Sequence, residues 1–325
     1  MRRGSIVMLV VVGAIVGLLA TAVAVFIPWL PEQASTQREG IDFVFWLTTG
    51  ICVGVFAVVA AVIVYSVLRF RARPDDDTDG PPIHGHTGLE IVWTAIPALL
   101  VIVIGVASAI VLARNERTGA NPLRIDVTAR QFAWSFEYPN GLTSGTLRLP
   151  VDRTVVLRLT ANDVIHSFWV PQFGQKQDAV PGIFTELVIT PKTIGEFPVI
   201  CTELCGLGHS VMRTAAVVLE EGEYDSWLAA GGTKLAGPPG EAGAAVFEEQ
   251  GCGACHTFEP AGASGTTGPS LDELEDDPAY VRESILDPNA QIAEGFGPNV
   301  MPPFKLPADQ LDALVQYLVS AGGGD

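Results

Sequence analysis

The chain has 325 residues and a formal net charge of -17, yet only 17% of its residues are charged and its mean hydropathy is +0.35. A hydrophobic content of 48% excludes an acidic disordered chain, and five cysteines are too few for a disulfide scaffold of this length. Acidic and apolar residues must therefore be concentrated in different parts of the chain. The five cysteines, five histidines and four methionines are enough for one or two metal sites.

Three long apolar stretches predict membrane-spanning helices in the first third of the chain. They are Ile6–Ile27, Phe43–Leu68 and Ile91–Ala113, of 22, 26 and 23 residues, and none of them contains a charged residue. Each exceeds the roughly 20 residues with which a helix crosses a bilayer. We therefore expect residues 1–35 to be a cleaved signal peptide or an N-terminal membrane helix, and residues 36–114 to form a two-helix hairpin.

Basic residues at the ends of these stretches predict the orientation of the hairpin. Arg2 and Arg3 precede the first stretch, and Arg69, Arg71 and Arg73 follow the second. Because Lys and Arg favour the cytoplasmic side of a membrane, the chain after residue 114 is expected outside the cytoplasm.

Residues 115–228 are predicted to form a β-domain. Short runs rich in Val, Ile and Thr alternate with turn signals such as Pro181-Gly182. Strands at this spacing predict a sandwich or a barrel. The predicted strands are Leu123–Thr128, Val155–Thr160, Thr185–Thr190, Phe197–Cys201 and Arg213–Leu219.

One loop of this domain carries the clearest functional signal. Residues Cys201–Met212 contain two thiols, an imidazole and a thioether within 12 positions. Soft sulfur ligands select copper or zinc, and His and Cys with a weak Met are typical of copper electron-transfer sites. The second thiol, Cys205, would let two thiolates bridge two coppers, and His166 would add an imidazole from the end of a strand. A Cys201–Cys205 disulfide and a zinc site are the alternatives that the residues leave open.

The loop matches the pattern C-x-E-x-C-x-x-x-H-x-x-M at every position, and residues 41–228 resemble subunit II of haem–copper cytochrome c oxidases. The resemblance implies that residues 115–228 form an all-β cupredoxin domain with Greek-key topology and a binuclear CuA centre. It also implies that the Glu203 carboxylate binds magnesium at the interface with subunit I. The implied copper ligands are His166, Cys201, Cys205, His209, Met212 and the backbone carbonyl of Glu203.

Two further segments carry the same resemblance. Residues 88–97 resemble the start of the family's second helix, which implies that Glu90 lies at the mouth of the K proton channel; a solvated acid at a helix start is the alternative. Residues 130–138 resemble the family's aromatic segment, which places Trp134 either on the electron path or in the core. Phe132 stands where the family has the tryptophan that accepts electrons from soluble cytochrome c, so electrons are expected to arrive differently here.

A run rich in Gly, Pro and Ala at residues 229–240 predicts a flexible linker to a third domain. That domain, residues 241–325, is strongly acidic. Lys234–Asp325 contains 3 Lys and Arg against 15 Asp and Glu, and so carries -12 of the net charge. Apolar periodicity and Pro at helix starts predict helices over Glu241–Gln250, Pro278–Leu286 and Pro307–Val319.

The third domain carries a haem attachment pattern. Cys252, Cys255 and His256 form C-x-x-C-H, in which two thiols add to haem vinyl groups and the histidine becomes the proximal iron ligand. Met301 is the domain's only methionine and is therefore expected as the sixth ligand. A redox disulfide, half of a zinc site and a surface role for Met301 are the alternatives. Residues 241–322 resemble a class I cytochrome c.

Residues 41–322 resemble subunit II of caa-type oxidases, in which a cytochrome c domain follows the CuA domain. We predict a multidomain membrane protein with a helical hairpin, an all-β cupredoxin domain and an all-α cytochrome domain. It would cross a bacterial plasma membrane several times, with both redox domains outside the cytoplasm. Electrons would pass from an external donor to haem c, then to CuA, then to subunit I, which reduces O2 to water with proton translocation. The linker would hold the haem domain near the copper site at a roughly millimolar effective concentration.

The expected partners are oxidase subunits I and III, membrane lipid, and a donor such as a cytochrome bc complex or a small cytochrome c; no nucleic acid is expected. The negative haem domain favours a donor with a basic surface or a membrane-bound complex. A CuA subunit of a nitric oxide reductase is the alternative function. A quinol oxidase subunit II would lack the copper ligands, and covalent haem argues against a copper carrier.

Overall fold

The computed structural model of the chain describes residues 3–71, 82, 84–232, 239–274, 277–298, 300–301 and 303–322. The predicted basic residue Arg73 and most of the predicted linker, 233–238, lie outside the described residues. The chain divides into two compact units. The first unit comprises Met1–Glu32 and Glu39–Asn115, and the second comprises Gln33–Arg38 and Glu116–Asp325.

The described residues of the first unit form the helices α1 (Arg3–Phe26), α2 (Thr36–Phe70) and α3 (Thr87–Asn115). All three are long and apolar enough to cross a membrane, which confirms the helices predicted from the apolar stretches. The helix α2 begins before the apolar stretch, so its first turns carry polar and charged residues.

Small residues allow α1 to approach α2 closely. A Cβ atom added to Gly13 would lie 3.6 Å from the Cβ of Ala61, and one added to Gly17 would lie 3.5 Å from the Cβ of Ala57. Glycine and alanine at such positions bring helix backbones together and are typical of packed membrane helices.

The second unit begins with a β-sandwich, as the strand pattern predicted. Two five-stranded sheets have the orders β3-β2-β1-β5-β8 and β4-β10-β9-β6-β7. The pairs β1–β5 and β4–β10 are parallel, and the other pairs are antiparallel. The strands are β1 (Leu123–Arg130), β2 (Ala133–Glu137), β3 (Thr143–Ser144), β4 (Leu147–Pro150), β5 (Val155–Ala161), β6 (His166–Trp169), β7 (Lys176–Ala179), β8 (Thr185–Ile189), β9 (Gly195–Cys201) and β10 (Arg213–Leu219).

Alternation along the strands builds the core of the sandwich. In β1, for example, Leu123, Ile125, Val127 and Ala129 are buried while the residues between them are more exposed. The five predicted strands are confirmed. The sequence prediction missed the shorter β2, β3, β4, β6 and β7, as well as a helix, α4 (Glu221–Ala229), that follows β10.

The described part of the third domain contains the three predicted helices, α5 (Pro239–Glu249), α6 (Pro278–Leu286) and α7 (Ala308–Gly322). Asp277 caps α6 by accepting hydrogen bonds from the backbone N–H groups of Ala279 and Tyr280. Two short strands, β11 (Thr257–Phe258) and β12 (Ala263–Ser264), pair beside the helices.

Candidate copper and haem centres

The sheet β4-β10-β9-β6-β7 brings the predicted copper ligands to one end of the sandwich. His166 is the first residue of β6, and Cys201 is the last residue of β9. The two strands are antiparallel neighbours, with Phe168 opposite Cys201. The loop between β9 and β10 closes where the backbone N–H of Cys201 donates to the carbonyl of Met212, at 3.2 Å.

The side chains of this loop converge on a single buried site. Cys201 Sγ lies 3.9 Å from Cys205 Sγ and 3.9 Å from His166 Nδ1. Cys205 Sγ lies 3.6 Å from His209 Nδ1 and 3.8 Å from Met212 Sδ. Both thiols are free and not joined in a disulfide, which overturns the disulfide alternative.

The arrangement fits a pair of copper ions. Two sulfur atoms occupy the centre, and one imidazole lies beside each of them. The carbonyl oxygen of Glu203 lies 3.3 Å from Cys201 Sγ, whereas the Glu203 side chain is exposed. A thioether at the edge of a set of Cys and His ligands is a copper preference that zinc does not share.

The electrostatics of the two thiols differ. Burial opposes ionisation of Cys201, but contacts with the His166 imidazole and with backbone groups of Ser167 and Glu203 lower its pKa. Burial, together with the charge of ionised Cys201, raises the pKa of Cys205. The two thiols lie close enough that ionisation of one opposes ionisation of the other, and a cation beside them would favour the loss of both protons.

Asp163 orients one of the imidazoles and was missed by the sequence analysis. Its carboxylate lies 2.8 Å from His166 Nε2 and accepts hydrogen bonds from the backbone N–H groups of Gln131 and Val164, at 2.6 and 2.7 Å. Burial acts to raise the pKa of Asp163, but these hydrogen bonds lower it overall. The carboxylate fixes Nε2 as the donor, so Nδ1 faces the thiols with its lone pair. The sequence signal that could have identified this role is an aspartate three residues before His166.

The aromatic segment lies directly against the copper loop. Gln131 Nε2 donates to the backbone carbonyl of Cys205, at 2.5 Å. The Phe132 ring covers Gly208 so closely that a Cβ atom there would come within 2.5 Å of it. Trp134 is buried in the core, and its ring centroid lies 6.2 Å from that of His166. Trp134 thus combines core packing with proximity to the site.

The haem attachment motif presents a preoriented histidine. His256 Nδ1 donates to the carbonyl of Pro269, at 2.8 Å, which leaves Nε2 as the ligating nitrogen. Burial lowers the pKa of His256, which favours the neutral, ligating form of the ring. A Cβ on Gly268 would lie 2.7 Å from the ring, so only glycine leaves room for it.

A largely apolar cavity adjoins this histidine and fits a haem. Its lining includes Cys252, Cys255, His256 and Met301, so both predicted axial ligands border the same space. Thr267 also lines it, with a buried hydroxyl that has no hydrogen-bond partner among the residues that the structure describes. Among the described residues, the only cluster of three His, Cys, Asp or Glu side chains suited to a metal is that of His166, Cys201 and Cys205. The described residues therefore do not supply the second half of a zinc site here.

Glu90 lies in the first turn of α3, where it caps the helix. Its carboxylate accepts a hydrogen bond from the backbone N–H of His86, at 3.0 Å, and His86 Nδ1 accepts one from the backbone N–H of Leu89, at 3.1 Å. Glu90 is exposed in the described structure.

Comparison with known families divides the chain in the same way. Residues 20–111 match the family described as cytochrome c oxidase subunit II, transmembrane domain. Residues 142–220 match cytochrome c oxidase subunit II, periplasmic domain. Residues 238–318 match cytochrome c oxidase, cbb3-type, subunit III.

Individual relatives carry the same description. The chain is 39% identical over 249 residues to cytochrome c oxidase subunit 2 of Synechocystis, covering 62% of this chain and 75% of that protein. It is 34% identical over 286 residues to cytochrome c oxidase subunit 2 of Alkalihalophilus pseudofirmus, covering 81% and 82%. The solved periplasmic domain of subunit II of the Bradyrhizobium japonicum cytochrome oxidase is 31% identical, covers 35% of this chain and 96% of that one, and has a TM-score of 0.34.

The family matches and the two relatives agree with the predicted fold and with a membrane protein whose β-domain lies outside the cytoplasm. They imply copper in the β-domain and haem c in the third domain, and they imply association with subunit I of a haem–copper oxidase. The matches described above are to oxidase subunits, so they give no support to the nitric oxide reductase alternative.

Proposed function

This chain belongs to the cytochrome c oxidase subunit II family, and from that premise we propose that it receives electrons on a fused haem domain and delivers them through a CuA centre to subunit I. Subunit I, and not this chain, would reduce O2 to water and couple that reaction to proton translocation. The observation that carries the proposal is the convergence of two thiols, two imidazoles and a thioether at one site, in a chain that also contains a haem attachment motif.

The copper ligands are proposed to be the residues of that convergent site. Cys201 and Cys205 would supply the thiolate ligands of two copper ions, and the neighbouring side chains would supply the other ligands. Ionisation of the second thiol is unfavourable next to the first, and two copper ions would supply the compensating charge. The remaining ligands would be His166, His209, Met212 and the backbone carbonyl of Glu203.

The haem ligands are proposed to be His256 and Met301, with thioether bonds to Cys252 and Cys255. Pro269 supports this role because its carbonyl holds the His256 ring in one tautomer. When bound, the haem and the copper pair each carry one electron at a time between the donor and subunit I.

Residues of this chain would shield these centres from water and fix the positions of their ligands. His166 and Met212 are fully buried and Cys201 is 3% exposed, so water is largely excluded from the thiols. Asp163 holds one imidazole, and Trp134 packs beside it on the side of the core. Electrons passing from the haem cavity to the copper site would cross the aromatic segment, residues 130–138, which includes Trp134.

Two acidic residues are proposed to connect the chain to subunit I. The exposed Glu203 side chain is free to bind magnesium at that interface while its carbonyl faces the copper site. Glu90 would admit protons to the K channel from the cytoplasmic end of α3. Its capping hydrogen bond supports a structural role as well, because a carboxylate in the first turn of a helix is favoured by the helix dipole.

The chain is proposed to cross a bacterial plasma membrane several times, with α2 and α3 as the hairpin and subunit III and lipid as neighbours. The apolar helices and the basic Arg69 and Arg71 at the end of α2 support this orientation. The donor would be a small cytochrome c or a cytochrome bc complex that presents a basic surface to the acidic haem domain.

Rapid anaerobic mixing of the purified oxidase complex with a reduced small cytochrome c tests this proposal. The haem c absorbance should change first, and the near-infrared band of the copper pair should follow. In a Cys201→Ser complex the haem should still be reduced, but O2 consumption should stop. Wild-type O2 consumption by the Cys201→Ser complex would contradict the proposal.

A further inference from the structure

The haem domain touches the copper domain through a buried polar cluster, which we call the clasp. It consists of Ser144, Thr146 and Arg148 from the copper domain and Glu249 from the end of α5. Arg148 forms an ion pair with the Glu249 carboxylate, and Ser144 Oγ donates to the same carboxylate at 3.3 Å. Thr146 Oγ1 donates to the backbone carbonyl of Glu249, also at 3.3 Å. A single carboxylate is thus held by two residues of the other domain.

The backbone around the clasp is in close contact across the two domains. A Cβ on Gly145 would lie 2.5 Å from the carbonyl oxygen of Gln250. On its other side, Arg148 lies over the Trp227 ring, 5.1 Å from the centroid, and its backbone N–H donates to the hydroxyl of Tyr138, at 2.7 Å. Arg148 is therefore fixed from within the copper domain before it meets Glu249.

A second contact lies away from the clasp. Gln310, in α7, donates from Nε2 to the carbonyl of Gly231, at 3.1 Å, just after α4 ends. Gln310 is 4% exposed, so this hydrogen bond is shielded from water. Two separated polar contacts restrict rotation of one domain on the other more than a single contact could.

The copper domain forms part of the wall of the haem cavity. Arg130, Gln131 and Ala133 line the same cavity as Cys252 and Cys255. Gln131 also donates to the carbonyl of Cys205. One side chain of the copper domain therefore borders both the proposed haem and the proposed copper loop.

Because the ion pair between Arg148 and Glu249 is buried, loss of either side chain should weaken the contact between the two domains. The side chain of Glu249 is 5% exposed and that of Arg148 is 18% exposed. Burial raises the pKa of Glu249, and the Arg148 charge and the Ser144 hydroxyl act against that rise. Removing one member of a buried pair leaves the other charge without a partner, which is strongly unfavourable.

On the basis of the function proposed above, we propose that the clasp holds the haem domain in one fixed pose on the copper domain, with the haem cavity against the segment Arg130–Ala133. The partner of this surface is the chain's own haem domain. The haem domain then occupies the face that Phe132 and its neighbours would otherwise offer to a soluble donor. The external donor must therefore dock on the haem domain.

Distance measurement between spin labels tests this pose without relying on electron transfer. Nitroxides would be attached to Glu196→Cys in the copper domain and Asp309→Cys in the haem domain, both exposed positions, in a full-length, copper- and haem-loaded Cys52→Ser chain. The unaltered clasp should give one narrow distance peak. Glu249→Ala and Arg148→Ala should each lose that peak and give a broad distribution.

Two comparisons make the result specific to the clasp. Arg282→Ala breaks an exposed ion pair with Asp312 inside the haem domain and should leave the peak unchanged. The double variant Arg148→Ala/Glu249→Ala should broaden the peak no more than the worse single variant, because neither charge is then stranded. If Glu249→Ala does not fold, Glu249→Gln retains the shape of the side chain and should still broaden the peak.

A narrow peak in both Glu249→Ala and Arg148→Ala would overturn the proposed role of the clasp, and a broad distribution with the clasp intact would overturn the fixed pose. Copper and haem contents of the same samples separate this outcome from a failure of the proposed function. Normal contents with a broad distribution would reject only the pose, whereas missing copper or haem would reject the proposed function.

Discussion

The copper loop and the haem domain reach their functional geometry in different ways. In the copper loop the donor atoms converge through the fold itself, because β6, β9 and β10 bring them together and Asp163 and Gln131 hold their surroundings. In the haem domain, His256 is the one proposed iron ligand whose side chain makes a hydrogen bond within the described residues. Met301 comes from a distant segment that meets it only across an apolar cavity. The copper site is therefore a preorganised set of ligands, and the haem site is an apolar cavity beside the core of its domain.

This difference predicts that loss of the cofactor destabilises the haem domain much more than the copper domain. The copper domain has a hydrophobic core of its own that extends well beyond the ligands. In the haem domain, by contrast, the partly buried Tyr280, Met301 and Phe304 pack against a smaller core on one side and line the haem cavity on the other, so loss of the haem would uncover them.

The largest expected effect is that of Cys252→Ala/Cys255→Ala. Without thioether bonds the haem is lost, and the apolar lining is left exposed to water at a cost of about 25 cal/mol per Å². The haem domain should lose its cooperative thermal transition, while the copper domain keeps its copper. Haem staining of denaturing gels and calorimetry of the full chain measure both effects. An unchanged thermal unfolding transition of the haem domain in this haem-free variant would contradict the proposed difference between the two domains.

Cys201→Ser should abolish the binuclear copper spectrum but leave the sandwich folded. Serine replaces sulfur with a poor copper ligand of similar shape, and the core of the sandwich does not depend on the metal. Near-infrared absorption and thermal unfolding of the copper-free forms measure the two parts of this prediction. Cys52→Ser, at an exposed cysteine in α2, is the matched control and should alter neither. Unfolding of the sandwich in the Cys201→Ser variant would show that the loop is not preorganised.

Asp163→Asn should weaken copper binding roughly 10- to 100-fold, because the carboxylate that fixes the His166 ring is lost. Competition with a chelator measures the affinity. Asp178→Asn, at an exposed aspartate in β7, should leave the affinity unchanged. Equal affinities of the Asp163→Asn variant and the unaltered chain would mean that the ligands are held without this carboxylate.

Gln131→Ala should have the smallest effect. It removes one hydrogen bond to the Cys205 carbonyl, which contributes about 0.5–1.5 kcal/mol to stability. Denaturant unfolding of the copper domain should show that loss, with copper stoichiometry unchanged. Lys176→Ala, on an exposed side chain of β7, is the control. Loss of copper from the Gln131→Ala variant would show that the loop depends on this single contact.

Sequence reasoning succeeded where the relevant residues are close together in the chain. The copper loop spans 12 residues, and C-x-x-C-H spans five, so the residue types and their spacing predict the chemistry directly. Long strands with strict alternation, such as β1, were predicted for the same reason. The two-residue strand β3 and the proline-containing β4 carry too little periodic signal to be found.

The contacts that position these sites could not be predicted, because they join distant residues. Arg148 and Glu249 lie 101 positions apart, and nothing in either local sequence marks them as partners. The composition of residues 229–240 predicts a flexible linker, and it gives no indication of the side-chain contacts between the sandwich and the haem domain. Asp163 is the exception, since its place three residues before His166 was a readable signal.

Copper and haem analysis of the full-length chain, combined with electron paramagnetic resonance, tests the central claim most directly. The account predicts two copper ions and one covalent haem per chain, with the hyperfine pattern of an unpaired electron shared by two copper nuclei. A single copper ion in a fully loaded sample, or a signal from an electron confined to one copper nucleus, would contradict it.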